Sequence, residues 1–156
     1  MKWMHAPAML LIVAFLVSLT ACSGNMPTYE VAGVVEFEDG TRPEFGNIEF
    51  YSAQFKINAR GKIQEDGTFT LSTYSENDGA VVGFHEVVIM QQVGNYLLAK
   101  SGGNRIRHDH GSLIDSSYFD YQTSSLSCEI KSDVKNEVRL VVKKLPRQTE
   151  DGMPLH

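Results

Sequence analysis

Apolar and polar residues alternate with period two along most of the chain after residue 28, the pattern of half-buried strands. Over 29–37, Tyr29, Val31, Val35 and Phe37 share one face, and Glu30 and Glu36 the other. Residues 47–52 place Ile48 and Phe50 inward, 55–64 keep Phe55, Ile57 and Ala59 in register, and 68–73 turn Phe69 and Leu71 to the same side. An apolar run over 84–91 follows. The alternating Leu126-Ser127-Cys128-Glu129-Ile130-Lys131 comes next, and 137–143 closes the series with Val138, Leu140 and Val142 inward. Asp39-Gly40 and Asp66-Gly67 supply the positive φ angles that hairpin turns need. No ten-residue window keeps a helical period free of Gly or a β-branched cluster. Seven short strands without a βαβ rhythm predict an all-β fold, a seven-stranded antiparallel β-sandwich. A meander closing into a barrel is the lesser alternative.

Two stretches depart from this pattern. Residues 74–83 (YSENDGAVVG) read as a loop rich in Asn, Asp and Gly. Residues 94–112 (GNYLLAKSGGNRIRHDHGS) form a longer connection than compact domains usually hold, which predicts a functional or mobile segment. The tail over 146–156 is polar and is expected to fray.

The N-terminus obeys different rules. Lys2 and the amino group precede the run AMLLIVAFLVSL over 8–19. As a helix, about 12 residues reach roughly 18 Å, short of the ~30 Å hydrocarbon core. A positive start, a short apolar run and small residues after it describe a secretory signal rather than a permanent span. No second run approaches spanning length.

Charge narrows the partners. Lys and Arg total 14 against 19 Asp and Glu, a net charge of −5. Removing residues 1–21 takes away Lys2, so 13 cations face 19 acids and the balance becomes −6. Nucleic acid needs a basic footprint, so it is not an expected partner. Of the 2 cysteines, Cys128 shares a strand face with Leu126 and Ile130, as a buried and inert core thiol would.

The candidate chemistry is sparse. In Arg105-Ile106-Arg107-His108-Asp109-His110, two imidazoles flank a carboxylate, and a metal could use them with help from His85. On an extended strand, however, His108 and His110 share a face while Asp109 points away. A solvated loop is therefore the expected state, and no cofactor is expected. Lys100, Arg105 and Arg107 make a local cationic patch suited to an anionic glycan, a phosphate or an acidic protein partner. Tyr118, Phe119 and Tyr121 fit either a sugar-binding patch or burial against the sheet, and Asp66, Asn77 and Asp78 fit turns as readily as calcium. Neither a G-x-S-x-G elbow nor a His-Glu-x-x-His motif occurs, so no catalytic residue is assigned and an enzyme is not expected.

Two resemblances add to this reading. Leu19-Thr20-Ala21-Cys22 resembles the lipobox of bacterial lipoproteins. That likeness implies lipidation of Cys22, cleavage before it and firm anchoring by two or more acyl chains. Ser23, standing where inner-membrane lipoproteins carry Asp, implies the outer membrane over the inner. Val31-Ala32-Gly33-Val34-Val35 ahead of Asp39-Gly40, then Glu65-Asp66-Gly67-Thr68-Phe69-Thr70-Leu71, then Gly83-Phe84-His85-Glu86-Val87-Val88-Ile89, resembles carboxypeptidase regulatory-like domains, which are transthyretin-like sandwiches. The closer likeness, over roughly 29–143, is to short bacterial lipoproteins carrying this domain after a lipobox. It implies an accessory binding or structural module in the cell envelope, acting through a protein or glycan partner or as a subunit of a larger assembly. Transthyretin-like hydroxyisourate hydrolases end in Tyr-Arg-Gly-Ser, whereas this chain ends Met153-Pro154-Leu155-His156. The expected organisation is a lipoprotein signal peptide over 1–21, a lipidated tether over 22–28, the domain over 29–145 and a tail over 146–156. Metal binding through His108 and His110 is the alternative function.

Overall fold

The computed structural model describes residues 24–91 and 113–146. Among these residues nine strands follow one another: β1 (Thr28–Tyr29), β2 (Val31–Phe37), β3 (Gly46–Ser52), β4 (Ile57–Ile63), β5 (Thr68–Thr70), β6 (Ala80–Val81), β7 (Gly83–Met90), β8 (Ser127–Ile130) and β9 (Asn136–Val142). They form a four-stranded sheet ordered β4-β3-β7-β8, a three-stranded sheet ordered β5-β2-β9 and a two-stranded β1-β6 pair. The all-β expectation holds. Among the described residues no helix is long and apolar enough to cross a membrane.

Alternation does the sorting. On β3, Ile48, Phe50 and Ser52 are buried while Asn47, Glu49 and Tyr51 face outward, as a pleat of period two requires. Val31, Val35 and Phe37 of β2, Phe69 of β5 and Leu140 and Val142 of β9 meet Ile48, Phe50, Ala59, Val87, Ile89 and Ile130 in one buried cluster. Phe50 and Phe69 touch across it, with ring centroids 6.0 Å apart and tilted 50°, a favourable aromatic geometry.

Four expectations need correction. First, the strands are not all antiparallel: β9 runs parallel to β2 in full register from Val31↔Asn136 to Phe37↔Val142. Parallel neighbours need a crossover, and here the chain passes through the four-stranded sheet between β2 and β9. Second, Asp39-Gly40 makes a tight turn, with Gly40 at φ 81° and Thr41 N–H donating to Asp39 Oδ1 at 3.0 Å, but no hairpin. Its flanking strands β2 and β3 lie in different sheets, so the turn is a corner. The matching Asp66-Gly67 turn does join paired segments, through Gln64 N–H to the Thr68 carbonyl at 2.9 Å and an Arg60↔Ser72 bridge. Beyond it β5 leaves for β2, which links the two sheets along that edge. Third, the 74–83 stretch is not wholly loop, since Ala80–Val81 pairs with β1. Fourth, Phe55 falls in the β3–β4 turn rather than in β4.

The segment after residue 112 closes one end of the core. Leu145 N–H donates to the Leu113 carbonyl at 2.7 Å and Asp115 N–H to the Lys143 carbonyl at 3.0 Å, with Ile114 bridging Lys144 between them. Ile114 and Tyr118 are thereby pressed into the core, Tyr118 from a 3-10 turn over Ser116–Phe119. Gln91 ties this segment down, accepting from Ile114 N–H at 2.8 Å and donating to the Phe45 carbonyl at 2.8 Å. At the other end, Asn136 satisfies the turn before β9. Its side chain accepts from Lys131 N–H at 2.9 Å and donates to the carbonyls of Lys131, Val134 and Glu30.

Candidate functional site

Cys22, Lys100, Arg105, Arg107, His108 and His110 all lie outside the described residues, as do the 8–19 run and residues 147–156. Among the described residues no group of three His, Cys, Asp or Glu side chains is placed to hold a metal. Asp66 accepts from Thr68 N–H and Oγ1 at 3.0 and 2.6 Å. Asp78 accepts from the N–H groups of Thr73, Tyr74 and Ser75 at 2.6, 2.9 and 2.9 Å. Asn77 accepts from Thr70 Oγ1 at 2.7 Å. These side chains form turns and leave few lone pairs for calcium. The aromatic trio is divided: Tyr118 is core, Phe119 is partly exposed, and Tyr121 lies on the outer sheet face. Cys128 is half-buried against the core rather than fully enclosed, and burial, with the neighbouring Glu129 charge, pushes its thiol up.

The outer face of the four-stranded sheet carries the most organised polar arrangement. Register sets Glu49 opposite Arg60 and Tyr51 opposite Asn58 on the β3–β4 pair. The Glu49 carboxylate accepts from Asn58 Nδ2 at 2.9 Å and Tyr121 Oη at 2.7 Å on one oxygen, and from Arg60 Nε on the other. Tyr121 reaches it from the 120–124 turn, its ring 5.7 Å from that of Tyr51 and tilted 54°. Burial works to raise the Glu49 carboxyl, but the Arg60 and Tyr121 hydrogen bonds outweigh it and hold it below the usual range. Burial, followed by the same Glu49 carboxylate, pushes the Tyr121 phenol up.

Beside this cluster lies an open cavity of about 600 Å³ over β3, β4 and the 70–77 segment. Asn47, Glu49, Arg60, Lys62, Asn77 and Met90 are among its lining residues. Two cations, the carboxylates of Glu49 and Glu76, amides and a thioether converge there, which suits a ligand with both hydroxyl or amide groups and a small apolar face. Chemistry by proton transfer suits it less, because the central carboxylate is occupied by donors and held ionised. Alternation already places Glu49 and Arg60 outward. Their pairing depends on the turn over residues 53–56, where Lys56 takes a left-handed φ of 56° and donates its N–H to the Ser52 carbonyl. Tyr121 comes from 72 residues away, and no local pattern signals its contact.

No protein-family model matches the chain. Neither a curated protein nor a solved structure matches it.

Proposed function

We propose that the chain is a lipid-anchored protein of the cell envelope, favouring the outer membrane, that presents a non-enzymatic β-sandwich of the transthyretin-like, carboxypeptidase regulatory-like kind to a protein or glycan partner. The observation that carries the reading is the apolar run over 8–19 ending at Thr20-Ala21-Cys22, followed by a tether of a few polar residues before the first strand. A signal of this form delivers the domain across a membrane, and acyl chains on Cys22 hold it there. A tether this short keeps the domain near the bilayer surface. The open, mixed-polarity cavity beside Glu49 and Arg60 supports a binding role, and the fully engaged carboxylate speaks against acid–base work.

Mass spectrometry of the membrane-extracted protein tests the anchor. The expected species begins at Cys22 and carries diacylglycerol plus an N-acyl chain, and Cys22→Ala loses both lipid and membrane association. Recovery of the native protein from the cytosol with residues 1–21 attached would defeat the proposal. Cross-linking in intact envelopes tests the binding role. Arg60→Ala/Lys62→Ala is expected to reduce capture of the partner, and undiminished capture moves the contact away from this cavity.

A further inference from the structure

The inner face of the four-stranded sheet carries a second polar arrangement, unrelated to the cavity outside. Register sets His85 of β7 opposite Cys128 of β8. On its other side, continuing the β3–β7 register by one residue from Tyr51↔Glu86 sets it opposite Ser52. A serine, a histidine and a cysteine therefore stand in one row across three neighbouring strands, on the side facing the core. Directly opposed side chains in such a row have Cβ atoms about 5 Å apart. Ser52 is 0% exposed and His85 1% exposed. Among the described residues, neither Ser52 Oγ nor His85 Nε2 has a hydrogen-bond partner. Buried polar atoms are nearly always paired, so two unpaired ones at facing positions call for an explanation.

The orientation of His85 is informative. Its Nδ1 lies 3.0 Å from the Gly83 carbonyl oxygen. A carbonyl only accepts, so the ring proton sits on Nδ1, and Nε2 presents a bare lone pair to the core. Burial pushes the imidazole pKa down, more strongly than the Gly83 contact raises it. A ring pinned through Nδ1–H to a backbone carbonyl, with Nε2 open, is the arrangement of metal-ligating histidines. Cys128 is the partly open member of the row, so it provides an approach from solvent. Phe50 packs on the ring with centroids 6.2 Å apart, and Ile130 and Leu126 flank the cysteine. These neighbours are apolar, and the polar contact of Cys128 Sγ is a long one of 3.8 Å to the Glu129 carbonyl oxygen.

We propose that His85 Nε2 and Cys128 Sγ, with Ser52 Oγ beside them, form a site for one soft monovalent cation of the Cu(I) or Ag(I) type. Ligand softness favours this class, since thiolate and imidazole select Cu(I). Charge favours it as well. As the sulfur–metal bond forms, the Cys128 thiol releases its proton to solvent, and thiolate plus monovalent cation is a neutral unit. Zn²⁺ in the same place would leave an uncompensated positive charge in the core, at a large desolvation cost, and would want four ligands where this row supplies three atoms.

The test uses the full lipidated chain in detergent, loaded anaerobically with Cu(I) against a competing chelator. One equivalent is expected to bind, with copper-edge X-ray absorption showing both sulfur and nitrogen scatterers. Cys128→Ser and His85→Gln are expected to weaken binding by more than about tenfold, the scale on which even outer-shell partners act. His108→Ala/His110→Ala should leave it unchanged. Because His85→Gln alters a buried position, the unsubstituted chain supplies a second readout: the ¹⁵N resonance of His85 Nε2 is expected to move on Cu(I) addition. Failure to bind Cu(I), full affinity in Cys128→Ser, loss of affinity only in the His108/His110 variant, or an unmoved His85 resonance at saturation would each overturn the site.

Discussion

Replacing Tyr121 with Phe deletes one oxygen and leaves the ring on Tyr51, so it isolates the hydrogen bond to Glu49. That bond is charge-assisted and 2.7 Å long, and its acceptor side chain is 14% exposed. Hydrogen bonds to charged groups contribute about 1.5–3 kcal/mol. Asn58 and Arg60 remain on the carboxylate in the variant, which leaves Glu49 paired and brings the expected loss to about 1–2 kcal/mol. For a domain of this size that is a fall in Tm of about 3–5 °C per kcal/mol. Glu49→Gln keeps the shape but removes the charge that Tyr121 and Arg60 share, and the double variant should show a coupling of about 1 kcal/mol. The pH dependence has a definite sign. The Glu49 carboxyl is held below its ordinary value, so the stability it contributes is present above the unfolded pKa of about 4.3 and is lost as pH falls through the folded value. Urea melts of the four proteins at pH 7, repeated in acid, measure all of this. A Tyr121→Phe variant as stable as its parent at pH 7, or a coupling indistinguishable from zero, would refute the assignment of Tyr121 as the clamp on this face.

Three further outcomes are expected. Asp78→Ala removes the acceptor of three N–H groups, should cost about 1–2 kcal/mol after solvent screening, and should speed hydrogen exchange at residues 73–75; unchanged exchange there counts against it. Gln91→Leu leaves the buried Ile114 N–H without its acceptor and removes the bond to the Phe45 carbonyl, at about 1–3 kcal/mol for the buried N–H, read as a lower urea midpoint at an unchanged slope. Ile114→Ala, at a site 1% exposed, should cost about 2–5 kcal/mol as a core truncation; a loss below about 0.5 kcal/mol, the size of a surface change, would mean that residues 113–119 do not plug the core.

The strands were readable because alternation is local. Whether Ile48 and Phe50 point inward depends only on their spacing within one pleat, and the same holds for Phe69 and Leu71 or Leu140 and Val142. Asp-Gly turns were readable for a similar reason: a positive φ is a property of one residue. Partnership between strands is not local. Period two says which side of a strand is greasy, but not which sheet the strand joins or in which direction it runs. The parallel β2–β9 pairing and the corner at Asp39-Gly40 thus followed from how the inward faces pack together. The same limit applies to the sites. Glu49, Arg60 and Tyr121 are far apart in the sequence, and Ser52, His85 and Cys128 are scattered along three strands; the register of one sheet pairs Glu49 with Arg60 and lines up Ser52, His85 and Cys128, and the packing of the 120–124 turn on that sheet brings in Tyr121.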